Sequence, residues 1–256
     1  MRLQVLSDLH LEFRKTPYII TPVAPYLCLT GDICVCSDPD IAQYELLLRM
    51  NHMKFTKIFI VFGNHEYYSE GETMQGIRTR FSNMIKQFPN VIFLNCDSVE
   101  IIEGKTSYHV LGCTLWTPIK KPQYDLVKFG MSDYTSIYTS KDVFITPAFV
   151  ASSHAKCMEW LSDTIKKIRR DVKKTNKIIV LTHHKPFQSS TFSLDDVSSV
   201  AYEASANELF PLVNAWFYGH THVAKETTFG KTKVASNPVG YPYQRTGYND
   251  KKVFSV

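Results

Sequence analysis

Five times along this chain a short apolar run ends and a metal-ligating type of side chain follows at once. The runs are LQVLS (3–7), YLCLT (26–30), KIFIVF (57–62), KIIVLT (177–182) and AWFYG (215–219). They are followed by Asp8-Leu9-His10, Gly31-Asp32, Gly63-Asn64-His65-Glu66, His183-His184 and His220-Thr221-His222. Apolar runs of this length, bounded by Gly, Ser or Thr, read as strands buried on both faces. In sheets built from such strands, ligands gather beyond the carboxyl ends. Six of the nine histidines lie at these exits. His52, His109 and His154 have no Gly-flanked strand exit and are expected to be structural.

Further strands are predicted at VIFL (91–94) and YHVLG (108–112). Helical spacing appears in 40–52 (Ile41, Tyr44, Leu47, Leu48, His52), in 72–88 (Met74, Ile77, Phe81, Ile85, Phe88) and in 149–172 (Val150, Cys157, Trp160, Leu161, Ile165, Ile168, Val172). Strands alternating with helices predict an α/β fold with a largely parallel buried sheet. Antiparallel pairs are expected around 98–111 and 223–235, and the tail KKVFSV as a last edge strand. The predicted architecture is two mixed β-sheets packed as a sandwich and flanked by α-helices. At 44% hydrophobic residues the chain can bury a sizeable core without staples, and no linker or internal repeat divides it. Residues 1–256 are therefore expected to form a single domain. Residues 114–147 are rich in aromatics, Pro and Thr without a clean period, and a loop of that length is expected to be functional.

Composition narrows the function classes. The net charge of +5 is modest, and the densest basic stretch, KKIRRDVKKTNK (166–177), falls where a helix ends. Lys and Arg there complement the helix dipole, so a nucleic-acid patch is disfavoured. The six cysteines form no CxxC pair, which makes a closed zinc site a poor fit and suggests a reducing, cytoplasmic setting. MRLQVLSDLH runs directly into a strand and no window reaches the length of a membrane span, so a soluble protein without a membrane partner is expected.

Carboxylate, imidazole and amide oxygen are ligands for borderline divalent ions. In Asp8-x-His10 and His220-x-His222, an extended backbone would turn both side chains to one side. The set exceeds what one tetrahedral ion needs, and two ions roughly 3.5–4 Å apart fit it better, with Asp32 as the bridge. Each element alone has a plainer explanation. Gly-Asp is a common turn, Asp8 suits a cap, and Gly-Asn-His suits a hairpin. Five independent exits with compatible ligands are not what packing alone produces.

Taken in order, D-x-H, G-D, G-N-H-E, a later His and G-H-x-H resemble the motifs of the calcineurin-like metallophosphoesterase superfamily. The motifs span residues 8 to 222. The resemblance implies one ion held by Asp8, His10 and His222 and another by Asn64, His183 and His220, with Asp32 between them. It implies His65 facing the leaving group, a bridging hydroxide as nucleophile, and Asp32 and His65 as the catalytic pair. The superfamily's protein Ser/Thr phosphatases carry Arg after G-D and before G-N-H-E; here the segments read GDICVCSDPD and VFGNHE, which argues against that type. GNHEYY, GCTLWT and SNPVGYP are closer to a group of small members.

The expected activity is metal-dependent hydrolysis of a small phosphodiester or phosphomonoester, as a phosphodiesterase or phosphatase. The alternatives are a nuclease, or a metal-binding scaffold without catalysis. Manganese, Fe, Zn, Co and Ni all suit the ligand set. Asn64, Tyr67 and Lys185 are the expected substrate contacts. Arg245, the segments HHKPF (183–187) and NPVGYPYQR (237–245), and the aromatics Trp116, Tyr124, Phe129 and Tyr134 are expected nearby.

Overall fold

The computed structural model describes residues 1–171 and 175–256. Val172 and part of the basic stretch 166–177 lie outside the described residues.

The strands are β1 (Arg2–Leu6), β2 (Tyr26–Thr30), β3 (Lys57–Val61), β4 (Val91–Phe93), β5 (Asp97–Glu103), β6 (Thr106–Cys113), β7 (Tyr138–Ser140), β8 (Val143–Phe144), β9 (Thr175–Thr182), β10 (Ala215–Tyr218), β11 (Lys225–Phe229), β12 (Thr232–Ser236) and β13 (Phe254–Ser255). The helices are α1 (Ile41–Asn51), α2 (Met74–Ile85), α3 (Tyr124–Gly130), α4 (Asp133–Ser136), α5 (Pro147–Arg170) and α6 (Val197–Tyr202). One sheet has the order β13-β1-β2-β3-β4 and the other β11-β12-β10-β9-β6-β5. Within each, the central strands run parallel, and the antiparallel members β13, β11 and β5 stand at edges.

Side-chain alternation along the strands explains the layering. Cys28 of β2 and Phe59 and Val61 of β3 point between the sheets, where they meet Val110, Ile179, Leu181 and Phe217. Leu27, Leu29, Ile58 and Ile60 point the other way, onto Tyr44 and Leu48 of α1 and Ile77 and Phe81 of α2. On the far side Leu111, Ile178, Val180 and Trp216 pack against Cys157, Leu161 and Ile165 of α5. The result is two sheets face to face between outer helices, as the apolar pattern predicts. Each large side chain so buried contributes about 1.5–3 kcal/mol.

Local signals start the helices where the periodicity places them. Thr73 caps α2 by accepting from Gly76 N (3.1 Å), and Thr146 caps α5 by accepting from Phe149 N (3.2 Å), with Pro147 in the first turn. Lys167, Arg169 and Arg170 occupy the last turn of α5. Strands β6 and β9 outrun their apolar cores because they pair with each other from Thr106↔Thr175 to Cys113↔Thr182. Pairing, not hydrophobicity, sets their length.

Residues 114–147 hold more structure than the aperiodic sequence suggests, with α3, α4 and the β7–β8 hairpin. Trp116 and Tyr134 are core residues there, and Phe129 is exposed. No helix among the described residues is long and apolar enough to cross a membrane.

Candidate metal centre

Parallel strands in register deliver their exits to one edge, and the two sheets bring those edges together. Asp8 accepts from the backbone N–H of His220, 212 residues away, at 3.0 Å. The backbone there is not extended as the two-apart spacing suggested. Asp8 (φ 55°), His10 (46°), Asp32 (53°), His220 (67°) and His222 (50°) are all left-handed. The paired side chains converge because the chain turns sharply beyond each strand, not because a strand alternates. Left-handed conformations in non-glycine residues cost energy and cluster at functional sites. Five of the nine such residues described here are predicted ligands.

Two glycines make room for the convergence. Gly31 (φ 89°) has no space for a Cβ, which would lie 2.7 Å from Gly63 N and overlap the ring of His183. At Gly63 a Cβ would overlap Asp32 Oδ1 and lie 2.6 Å from His183 Nε2.

The side chains form two groups joined at Asp32. Ligand atoms of Asp8, His10 and His222 lie within 4.8 Å of one another, and so do those of Asp32, His183 and His220. Asn64 Oδ1 is 3.2 Å from His183 Nε2. Asp32 Oδ2 lies 3.3 Å from His183 Nε2 and 4.0 Å from His10 Nε2, between the groups. His65 also comes within reach of His10 and Asp32.

Hydrogen bonding orients the rings. His10 Nδ1 faces a Glu12 carboxylate oxygen (3.1 Å), and His222 Nδ1 faces Gln244 Oε1 (2.5 Å), which already accepts from Tyr241 N. Both Nδ1 atoms therefore donate, and the rings turn their Nε2 atoms toward each other at 3.0 Å. In the second group His183 Nδ1 donates to Thr30 O (2.9 Å), which leaves Nε2 as the nitrogen turned to the centre. Around it stand Asn64 Oδ1, Asp32 Oδ2 and, at 3.0 Å, His220 Nδ1. His220 Nε2 is buried without a partner. Imidazole nitrogens, carboxylate oxygens and an amide oxygen gathered this closely could hold a divalent cation, which the mixed N/O set suits.

Several residues that hold this arrangement were given no role in the sequence reading. Glu12 takes N–H groups from His10 and from His65 Nδ1 (3.0 Å). Burial alone would raise its carboxyl, but these two hydrogen bonds outweigh that and hold it down at about 2. Burial also opposes charge on His65, yet Asp32 and Glu12 push it up to about 9. Glu66 is fully buried and accepts from Gly63 N (2.7 Å), Asp32 N (2.9 Å) and Ile33 N (2.8 Å), tying two ligand loops together. Asp133 accepts from Asn64 Nδ2 (2.9 Å) and Tyr68 Oη (2.6 Å), which turns the Asn64 oxygen toward His183. Such outer partners fix tautomer and orientation in metal sites. Glu12 stands in the single turn Leu11–Phe13 just after His10, close in sequence but in no pattern that marks it. Asp133 stands in the aperiodic segment and is unmarked as well.

An open cavity of about 270 Å³ adjoins the centre, with His65, Tyr68, Tyr202 and Tyr241 on its walls. Tyr241 stacks on His10 (4.3 Å between centroids) and Tyr68 on His65 (4.3 Å). Two of the three expected substrate contacts, and Arg245, lie elsewhere. Tyr67 is buried against Phe62 and Trp116, because the single turn at His65–Tyr67 points it into the core while Tyr68 faces the cavity. Lys185 is buried and paired with Glu203 at 2.7 Å, so its ammonium is engaged. Arg245 is exposed and outside the cavity lining. Asn64 does line it. Of the two histidines after β9, His184 turns away to Thr114 O (3.2 Å), and burial, with His183 next to it, lowers it to about 3. His154 bonds Leu115 O and His109 bonds Asn176, as structural histidines do.

A family model described as calcineurin-like phosphoesterase matches residues 1–224. An uncharacterized protein of Acanthamoeba polyphaga mimivirus is 28% identical over 277 residues, which cover 96% of this chain and 94% of that one. Among solved structures, the chain is similar to the phosphopantetheinyl hydrolase of Mycobacterium tuberculosis, with a TM-score of 0.68, 17% identity, and 94% and 89% of the two chains covered. It is also similar to a dimetal phosphatase from Danio rerio, with a TM-score of 0.52, 8% identity, and 96% and 89% covered. At these identities the structural likenesses establish the shared fold.

Proposed function

This chain belongs to the calcineurin-like phosphoesterase family and is a metal-dependent phosphoric ester hydrolase, and we propose that it cleaves small phosphate esters at a two-ion centre. Asp8, His10 and His222 would hold one ion and Asn64, His183 and His220 the other, with Asp32 shared. The observation that carries this reading is the convergence of ligand-type side chains on two points, linked by the Asp32 carboxylate. Ions bound there would supply a hydroxide nucleophile near neutral pH and would neutralise charge on the phosphoryl oxygens.

The protein's own contribution is positioning and proton delivery. Glu12 holds the Nδ1–H of His65, which leaves Nε2 as the nitrogen free to give its proton to the departing oxygen. General acid help of this kind contributes about 10²–10⁴-fold. Asp133 and Tyr68 keep the Asn64 amide in one orientation. Tyr68, Tyr202 and Tyr241 line the cavity beside the centre. About 270 Å³ suits a small ester, and the cavity lining includes no Lys or Arg to track a nucleic-acid backbone. That favours a small substrate over the nuclease alternative.

The test is steady-state hydrolysis of p-nitrophenyl phosphate and bis-p-nitrophenyl phosphate by metal-stripped protein reloaded in turn with Mn, Fe, Zn, Co and Ni. Asp32→Asn serves as the blank. Turnover well above the blank with either ester supports the reading, and their ratio separates phosphatase from phosphodiesterase. Rates equal to the blank with every metal would replace it with the non-catalytic scaffold.

A further inference from the structure

Three of the six cysteines, far apart in sequence, meet on the outer side of the second sheet. Cys96 lies in the turn between β4 and β5, Cys113 ends β6, and Cys157 is on α5. Cys96 Sγ is 3.5 Å from Cys157 Sγ, within contact distance of two sulfurs. Cys113 and Cys157 are buried, but Cys96 is half exposed and held in a left-handed conformation (φ 52°) beside exposed Asn95. The other three cysteines differ. Cys28 sits alone between the sheets, and the thiols of Cys34 and Cys36 donate to the backbone carbonyls of Asp40 and Cys34.

We propose that Cys96 and Cys157 are a peroxide-reactive thiol pair that closes to a disulfide. A reactive thiol needs access, anionic character and a second thiol in reach. The half-exposed position of Cys96 supplies access. Hydrogen bonds from the Cys113 and Cys157 thiols, with the charge of Arg78, lower Cys96 well below the ordinary thiol range, while Cys34 and Cys36 are pushed up chiefly by burial. Cys157 supplies the second sulfur. In the first step the Cys96 thiolate attacks one oxygen of a hydroperoxide, the O–O bond breaks, and Cys96 becomes a sulfenic acid with release of hydroxide or alkoxide. In the second, the Cys157 sulfur displaces the sulfenic oxygen, its proton leaves with that oxygen as water, and the S–S bond forms. Two electrons pass from the thiols to the peroxide.

Such a bond would tie the β4–β5 turn to α5 one helical turn from His154, which anchors Leu115 O. It would close a long loop and so restrict the unfolded chain. None of the three cysteines is among the candidate ligands, so the test does not require activity.

The experiment exposes the full chain, with a chelator present, to hydrogen peroxide, then denatures it and alkylates the remaining thiols. The expected result is four of six cysteines alkylated, a Cys96–Cys157 peptide pair by mass spectrometry, reversal by dithiothreitol, and a thermal midpoint higher in the oxidised protein. Cys96→Ser should keep all its remaining thiols free under the same treatment, and Cys157→Ser should leave a Cys96 sulfenic acid that dimedone traps. Six alkylated cysteines, or any disulfide other than Cys96–Cys157, would overturn the proposal. The wild-type measurement decides the question even if a variant fails to fold.

Discussion

Glu12 Oε1 accepts from Nδ1 of His10 at 3.1 Å and from Nδ1 of His65 at 3.0 Å. One carboxylate oxygen thus sets the tautomer of a candidate ligand and of the candidate general acid. Glu12→Gln keeps an acceptor but removes the charge, and should lower kcat by about 10–100-fold. The loss should be larger for alkyl phosphate esters than for nitrophenyl esters, whose leaving group needs less protonation. An equal loss across leaving groups would detach Glu12 from His65.

Asp133 accepts hydrogen bonds from Asn64 and Tyr68 at the edge of the centre. Asp133→Ala frees the Asn64 amide to rotate, and should weaken metal affinity by about 10–100-fold with the fold intact. Isothermal titration with Mn²⁺ reads this directly. Wild-type affinity in the variant would reduce Asp133 to a packing residue.

Glu66 is the acceptor for three buried backbone N–H groups. An unsatisfied buried donor costs about 1–3 kcal/mol. Glu66→Ala should therefore destabilise the protein by about 3 kcal/mol or more in urea unfolding. A loss under about 1 kcal/mol would mean that water takes over the three donors.

His154 gives a pH prediction away from the centre. Burial lowers it from its ordinary 6.5 despite carbonyls at Leu115 and Trp116. The unfolded chain then takes up a proton near 6.5 that the folded chain does not, so stability is lost as pH falls below 6.5. The slope from this residue is at most about 1.4 kcal/mol per pH unit. His154→Asn retains a donor to Leu115 O without the titration, and should lose less stability than wild type between pH 6.5 and 5 in chemical denaturation. Parallel curves would contradict this.

What was legible followed from short-range chemistry. The runs at 26–30 and 57–62 are apolar enough to specify buried strands, and their exits carry ligand types that no core needs. The two-sheet sandwich and the seven candidate ligands could be read that way. Contacts set by geometry could not. The single turn at His65–Tyr67 decides that Tyr68, not Tyr67, faces the cavity, and a one-residue rotation leaves no mark in composition. Lys185 looked available until the fold placed Glu203 beside it. The left-handed backbone at Asp8 and His10 was hidden because the spacing suits a strand equally well.

The central claim is a centre for two divalent ions held by one carboxylate in common. Its most direct test counts metal by plasma mass spectrometry in protein reloaded with excess Mn²⁺ and desalted, alongside Asp32→Asn. The account predicts two ions per chain in the wild type and loss of both from the variant. One ion per chain, or two that persist without the Asp32 carboxylate, would contradict it.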